Sequence, residues 1–383
     1  MAYLKNNSMK LNIVVAPYRD AYFYHNYGPA VRDLQFIFEL EKLEQVSKIT
    51  IINRPVSILE KILLKKPIKK LITTGKISTV HNVSKDIFGA IKGRAWAQDI
   101  YSSAIEKTLK ENYNQNKINV FLDFLPIGTF EANCLNGWYY WYDLIDNFKK
   151  HNRFSVNEKK LVDRKYQFAS KYSDLITGVT EASLASFNIQ AKQVISNKVF
   201  IDSTQTDTDF TTSNDKYDFG FIGFVTDKFD YDIVYKLSQN YKIVIYGSIL
   251  DKTMKKKLSN TNNVTLKGKF KYSEIRQLCT TFDIGLLPYL IKKSHDGSPL
   301  KLYEYIKYNK PCITSIDYEI KNDDLIVNYN KQSVDVKLIE KLLNITGNPK
   351  ISEQIKPEWL LKNNLHHIIM NNIQHTNKTQ SVE

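Results

Sequence analysis

The sequence predicts an α/β protein made of two Rossmann-like, doubly wound parallel-sheet domains. Three observations carry that expectation. Short apolar runs bounded by polar turns recur along the chain, as strands buried on both faces of a parallel sheet do. Longer amphipathic segments separate them, giving the strand–helix alternation of a doubly wound sheet. The chain has 383 residues, enough for two cores, and a stretch rich in Ser, Thr, Asn and Asp at 194–218 interrupts the periodicity. The expected organisation is a first domain over 1–199, a second over 200–355, a closing helix at 356–375 and a disordered tail at 376–383.

In chain order, LNIVVAP (11–17) is an apolar strand, VRDLQFIFELEKL (31–43) the helix after it, and ITIINRP (49–55) a second strand. The segment YRDAYFYHNYGPA between the first two reads as a long loop at the carboxyl end of the sheet, where ligands bind in such folds. It lacks G-x-G-x-x-G, which argues against a dinucleotide oxidoreductase. SILEKILLKKPIKKLI (57–72) interleaves Lys61, Lys65, Lys66, Lys69 and Lys70 with Ile and Leu. That pattern suits either a solvated surface helix or a patch resting on anionic lipid headgroups. A helix at 100–113, a strand at 118–126, a strand at 138–148, a helix at 156–173 and a strand at 174–181 complete the first domain.

The second domain opens at FGFIGFVTD (219–227), where Gly223 just past a strand lets backbone approach a diphosphate closely. Helices at 229–240, 251–260 and 272–282 then alternate with strands at 242–248 and 263–269. The stretch FDIGLLPYLIKKSHDGSPLKLYEYIKYNKPCITS (282–315) reads strand, loop, helix, strand. Ser298 stands where an N-cap belongs and Pro299 at the first helical position. Lys301 then falls at the third position, where a capping box would place Glu. A cation facing the positive end of the helix dipole costs about 0.3–1 kcal/mol, which makes sense if an anion, usually phosphate, sits between Lys301 and the first-turn amides. Glu304, one turn on, can accept hydrogen bonds from sugar hydroxyls. A strand at 324–330, a helix at 333–345 and the terminal segment 357–373 follow, and the adjacent His366 and His367 point about 100° apart on a helix, which suits a structural pair better than metal ligands.

The order DIGLLPY, polar loop, SPLKLYEY, NKPCITS resembles the donor-binding segment of GT-B glycosyltransferases. It is similar in particular to the group-1/family-4-like enzymes of bacterial envelope or capsular polysaccharide synthesis. The resemblance covers 219–315 well and the first domain loosely, through 138–181. It implies two Rossmann-like domains facing across a cleft, with a nucleotide-sugar donor on the second and a glycan or lipid-linked acceptor on the first. The family's acidic pair falls on Asp296 and Glu304, the first being Asp where the family has Glu, and favours retention of anomeric configuration. Lys301, with Asp296 and Glu304, is then catalytic, and Ser298, Pro299, Leu300 and Gly223 hold the donor. LKGKFKYSEI resembles the segment that holds the nucleobase, pointing to Phe270 and Tyr272. WYYWYDLIDNF resembles the cleft strand with an acidic residue at its end, so Asp143 and Asp146 are acceptor-side candidates; capping the next turn explains either equally well. The closing helix crosses back to the first domain, with Trp359 at the junction.

Charge and cysteine content bound the partners. The net charge is +14; residues 1–199 hold 29 Lys/Arg and 18 Asp/Glu, a net +11, and the remainder a net +3. A basic half suits an anionic inner membrane surface or a phosphorylated acceptor, and no nucleic-acid motif appears. Cys134, Cys279 and Cys312 are scattered without metal spacing, and the start lacks a signal-peptide apolar region, so a reduced cytoplasmic protein is expected. Asp207 and Asp209 form a D-x-D pair in the polar linker, read as turn chemistry rather than a metal site. No metal or cofactor is expected. A non-catalytic GT-B-like subunit and a sugar-nucleotide epimerase stay open as alternatives, the latter having only His295 suitably placed.

Overall fold

The computed structural model describes residues 9–58, 62, 73, 75–85, 94–202, 216–293, 297–318, 320, 324–346 and 355–374. The chain forms two compact units, Met1–Ser196 with Leu361–Glu383, and Asn197–Leu360.

Unit 1 is built on seven parallel strands: β1 (Leu11–Ala16), β2 (Val46–Ile52), β3 (Ile77–Val80), β4 (Ile118–Asp123), β5 (Trp138–Leu144), β6 (Leu175–Gly178) and β7 (Lys192–Val194). Their order is β3-β2-β1-β4-β5-β6-β7, so the winding reverses between β1 and β4. All six residues of β1 are buried, as a central strand covered on both faces requires. Aromatic side chains fill the layer below β4 and β5, with Phe121 stacked on Tyr140 at 5.4 Å.

The loop expected after β1 contains a helix, α1 (Ala21–Tyr27). Asp20 caps it, its side chain accepting from the Phe23 N–H at 2.9 Å, and Gly28 ends it with φ of 71°. The aromatic crowding of YFYHNY hid a cap signal that the sequence carries. The longer helices are α2 (Arg32–Lys42), α3 (Arg94–Asn112) and α4 (Val156–Tyr172), the last opened by a capping box between Ser155 and Glu158. Strands β3 and β7 escaped the sequence reading because ISTV and KQV are short edge strands with little apolar burial.

Unit 2 carries β8 (Tyr217–Ile222), β9 (Ile243–Tyr246), β10 (Val264–Gly268), β11 (Phe282–Leu287), β12 (Cys312–Thr314) and β13 (Ile326–Asn328), ordered β10-β9-β8-β11-β12-β13 and parallel throughout. The same reversal therefore falls between β8 and β11. Helices α5 (Tyr231–Ser238), α6 (Lys252–Ser259), α7 (Ile275–Thr280), α8 (Leu300–Lys307) and α9 (Val336–Ile345) connect or flank the strands. Asp230, Asp251 and Asp335 cap α5, α6 and α9 through side-chain bonds to backbone N–H groups.

The segment 357–373 is not one helix. Pro357–Trp359 is a 3₁₀ turn in unit 2, and the Trp359 carbonyl accepts from the Val199 N–H at 2.8 Å. Leu361–Ile368 is a helix of unit 1 packed on α2, widening to a π turn over Ile369–Ile373. The lysine run of Lys61, Lys65, Lys66, Lys69 and Lys70, the Asp207–Asp209 pair, Ser294 to Asp296, and the tail 376–383 lie outside the described residues. Among the described residues no helix is long and apolar enough to cross a membrane.

Candidate active site

In open α/β sheets the crevice for a ligand opens at the carboxyl ends of the strands, where the winding reverses. In unit 2 that point lies between Gly223, after β8, and Tyr289, after β11. Lys301 occupies it. Its ammonium lies 5.3 Å from the centre of the Phe221 ring and 5.8 Å from that of Tyr289, within cation–π range of both. Gly223 has φ of 135°, and a methyl group there would overlap Lys301 Cε and come within 2.7 Å of Nζ. Only a bare backbone lets the lysine lie across the strand end. Gly247, after β9, has φ of 130°, and a methyl there would overlap the Gly223 carbonyl. Two neighbouring strands thus end in stripped backbone, the first of them beneath the Lys301 side chain. The sequence reading found Gly223 and Lys301; it missed Gly247, whose signal was the same glycine after an apolar run in KIVIYGS.

Lys301 keeps part of its surface exposed, yet enough protein surrounds the ammonium to push its pKa down to about 8. It has no carboxylate partner among the described residues. Helix α8 begins one residue later than expected: Pro299 is the N-cap, without a side-chain cap bond, and Leu300 the first helical residue. Proline there has extended backbone angles, which the residue after a polar serine turn can adopt without entering the helix. Lys301 is therefore the second helical residue, still inside the first turn, where the dipole argument holds. Ser298 is buried and its carbonyl accepts from the Asn197 side chain, so it anchors the turn instead of capping it.

Glu304 lies one turn along α8 and is 6% exposed. Its Oε1 accepts from the Tyr272 hydroxyl at 2.6 Å, Lys307 Nζ stands 3.9 Å from Oε2, and Oε2 accepts no hydrogen bond among the described residues. Burial raises the Glu304 pKa, against the pull of Lys307 and Tyr272. Tyr272 differs from its expected role. It is 2% exposed, its ring faces Phe200 at 5.9 Å, and its hydroxyl is committed to Glu304, so no open ring face is offered to a base. Phe270, in the preceding loop, is half-buried. Asp296 lies outside the described residues.

The acceptor-side candidates behave differently from what was expected. Asp143 is fully buried, and its two oxygens accept from Arg32 Nε and Nη2, both at 2.8 Å, while the Thr177 hydroxyl donates to Oδ2 at 2.6 Å. Trp141 Nε1 donates in turn to Thr177 at 2.7 Å. This carboxylate is a member of a closed core network, a correction that follows from Arg32 arriving on α2, 111 residues away. Asp146 is half-buried, and its Oδ1 accepts from the Asn147 N–H at 2.9 Å, the turn-capping alternative. Sequence reasoning also missed Asp33, buried in the first turn of α2 beside the carboxyl end of β1. Its Oδ2 accepts from the Arg19 N–H at 2.8 Å, and burial pushes its pKa up to about 6. Among the described residues no three His, Cys, Asp or Glu side chains gather as a metal site requires.

No known protein family matches the sequence, and no curated protein does. Solved structures do match in fold. The N-terminal domain of Candida albicans trehalose-6-phosphate phosphatase aligns over 98% of each chain at 12% identity and a TM-score of 0.58. AviGT4, a glycosyltransferase involved in avilamycin A biosynthesis, aligns over 94% of this chain and 96% of its own, at 12% identity and a TM-score of 0.56. The fold is GT-B. TarM of S. aureus aligns more remotely, at 14% identity and a TM-score of 0.43, and this chain spans 57% of its length. Within a GT-B frame the Gly223–Lys301 crevice stands at the carboxyl edge of the second Rossmann-like unit, the edge that the doubly wound topology reserves for a ligand.

Proposed function

We propose that this protein is a glycosyltransferase that takes a sugar from a nucleotide-activated donor and passes it to a glycan or lipid-linked acceptor in cell-surface polysaccharide synthesis. One observation carries the reading: a lysine without a carboxylate partner among the described residues, in the first turn of a helix, laid over a bare strand end at the sheet's switch point. Such a place selects a phosphate.

When the glycosidic bond of the donor breaks, the electron pair leaves with the nucleotide diphosphate, and negative charge grows on its oxygens. Lys301 and the amides of Leu300 and Lys301 are already aimed at that charge, in surroundings drier than water, so no reorganisation is needed as it develops. Glu304, whose buried Oε2 accepts no hydrogen bond among the described residues, is the residue for the ribose hydroxyls once donor binding exposes it; Asp296 contacts the sugar; Phe270 borders the base. With the leaving group met by a lysine and helix amides, the reaction proceeds without a metal, and the acidic pair favours retention. The basic 1–199 half presents the acceptor, at the inner face of an anionic membrane if that acceptor is lipid-linked.

Incubation with a panel of nucleotide sugars, read by release of nucleoside diphosphate, tests the reading. Release from at least one donor is expected, and it should collapse in Lys301→Ala. If no donor were turned over with or without added lipid-linked acceptor, or if Lys301→Ala released diphosphate as fast as the parent, the assignment would be wrong.

A further inference from the structure

At the other edge of the same sheet, unit 2 holds a second concentration of positive charge. The chain leaves α7 into β11 and α8 into β12, so the carboxyl ends of both helices lie at the amino edge of the strands, away from Gly223. Between them opens a pocket of about 490 Å³ lined by Arg276, Lys307, Lys310, Asp202, Cys279 and Tyr308, among others. Three cations and one carboxylate among these residues face the same space.

Lys310 is the informative member. It is 8% exposed, and its ammonium makes no hydrogen bond or ion pair with the described residues. The Phe282 ring stands 5.9 Å away, and Asp283 acts on the ammonium through space. Burial accordingly lowers its pKa. Lys307 donates to the Phe200 carbonyl at 3.0 Å and stands 3.9 Å from Glu304 Oε2, so its charge is partly met from within the protein. The negative end of the α8 dipole favours a cation near its last turn, but α8 ends at Lys307 and the effect fades within that turn, so it does not account for Lys310. A cation buried this far is ordinarily paired, since water alone does not offset its desolvation.

We infer that this pocket is an anion-binding site for a small phosphate ester, separate from the Lys301 crevice. A phosphate supplies several acceptor oxygens and close to two negative charges, which matches a pocket lined by Lys310 together with Arg276 and Lys307. The Tyr308 ring and the buried Cys279 give the pocket a partly apolar wall and floor against which the organic part of the ester can rest.

Calorimetric titration of inorganic phosphate and of glycerol 3-phosphate into the full chain tests this. The titration is done in a Lys301→Ala background, which removes the other phosphate-selecting lysine. Saturable binding is expected there, and adding Lys310→Met or Arg276→Met should weaken it roughly tenfold or more, as loss of one charge-assisted contact does. Methionine keeps the apolar stem of Lys310, and an unchanged melting temperature shows that the variant folds. Phosphatidylglycerol vesicles should not compete, because the ligand inferred is a free phosphate ester and not a headgroup held in a bilayer. The inference is overturned by any of three results: no saturation below about 10 mM, binding that both methionine variants leave unchanged, or displacement by vesicles.

Discussion

In unit 1 two carboxylates near the carboxyl edge of the sheet are held in closed pairs. Asp143, near the end of β5, holds Arg32 through two bonds of 2.8 Å, and Asp123, the last residue of β4, holds Lys165 Nζ at 2.5 Å and the Tyr140 hydroxyl at 3.1 Å. All four charged groups are buried. In unit 2 the corresponding edge holds Lys301, half-buried, over two aromatic rings and a glycine, with no carboxylate to meet it among the described residues. The two sheets share a strand order, so topology does not explain the difference. A closed pair fixes the fold, and an open charge at a ligand edge is held for something that arrives later.

The comparison can be broken at several points. The largest effect is expected from opening a closed pair. Asp143→Ala leaves the Arg32 guanidinium buried without its partner and should lower stability by about 3–5 kcal/mol, measured by denaturant unfolding. The double variant Asp143→Leu/Arg32→Met, which removes both charges, should recover much of that loss. Equal stability of Asp143→Ala and the parent would mean that Asp143 is not the core ion pair described.

Opening the other kind of site should do the reverse. Lys301→Ala should cut turnover by roughly 10²–10³, as loss of one preorganised donor to a developing anion does. Its melting temperature should hold or rise slightly, because a dipole-opposed, desolvated cation is gone. The pH profile sharpens the point. The ammonium is lost as pH rises through about 8, so activity should decline above that pH in the parent. Donor binding at pH 8–8.5 should also take up a proton, because a bound diphosphate restores the charged form. Calorimetric enthalpies that did not vary with buffer ionisation there would contradict this.

Asp33 offers a smaller, purely structural test. Its carboxyl pKa is raised to about 6 by burial, so the folded state binds its proton more tightly than the unfolded chain does. Stability from this group is present at low pH and is lost as pH rises from about 4 to 6, by about 2–3 kcal/mol in all. Asp33→Asn should flatten the stability curve across that window relative to the parent. Parallel curves would place the raised pKa elsewhere. The smallest expected effect is no effect: excess EDTA should leave turnover unchanged, and restoration by Mn²⁺ after loss would return the Asp207–Asp209 pair to consideration.

The amino-acid sequence by itself determined the parts that depend on neighbours in the chain. Apolar runs such as LNIVVA and FGFI mark strands because burial on both faces demands uninterrupted apolar character, and Asp before Tyr231, Lys252 and Val336 marks helix starts because a cap bond spans two or three residues. Lys301 in a first turn and Gly223 after a strand were legible for the same reason: dipole and backbone angle are local properties. The tertiary structure alone decided which groups meet. Nothing in WYYWYDLIDNF announces that Asp143 will be closed off by an arginine 111 residues earlier, nor in KFKYSEI that the Tyr272 hydroxyl will be spent on Glu304. A side chain's chemistry at a site depends on its partners and its burial, and both are set by contacts between segments far apart in sequence, where no local periodicity records them.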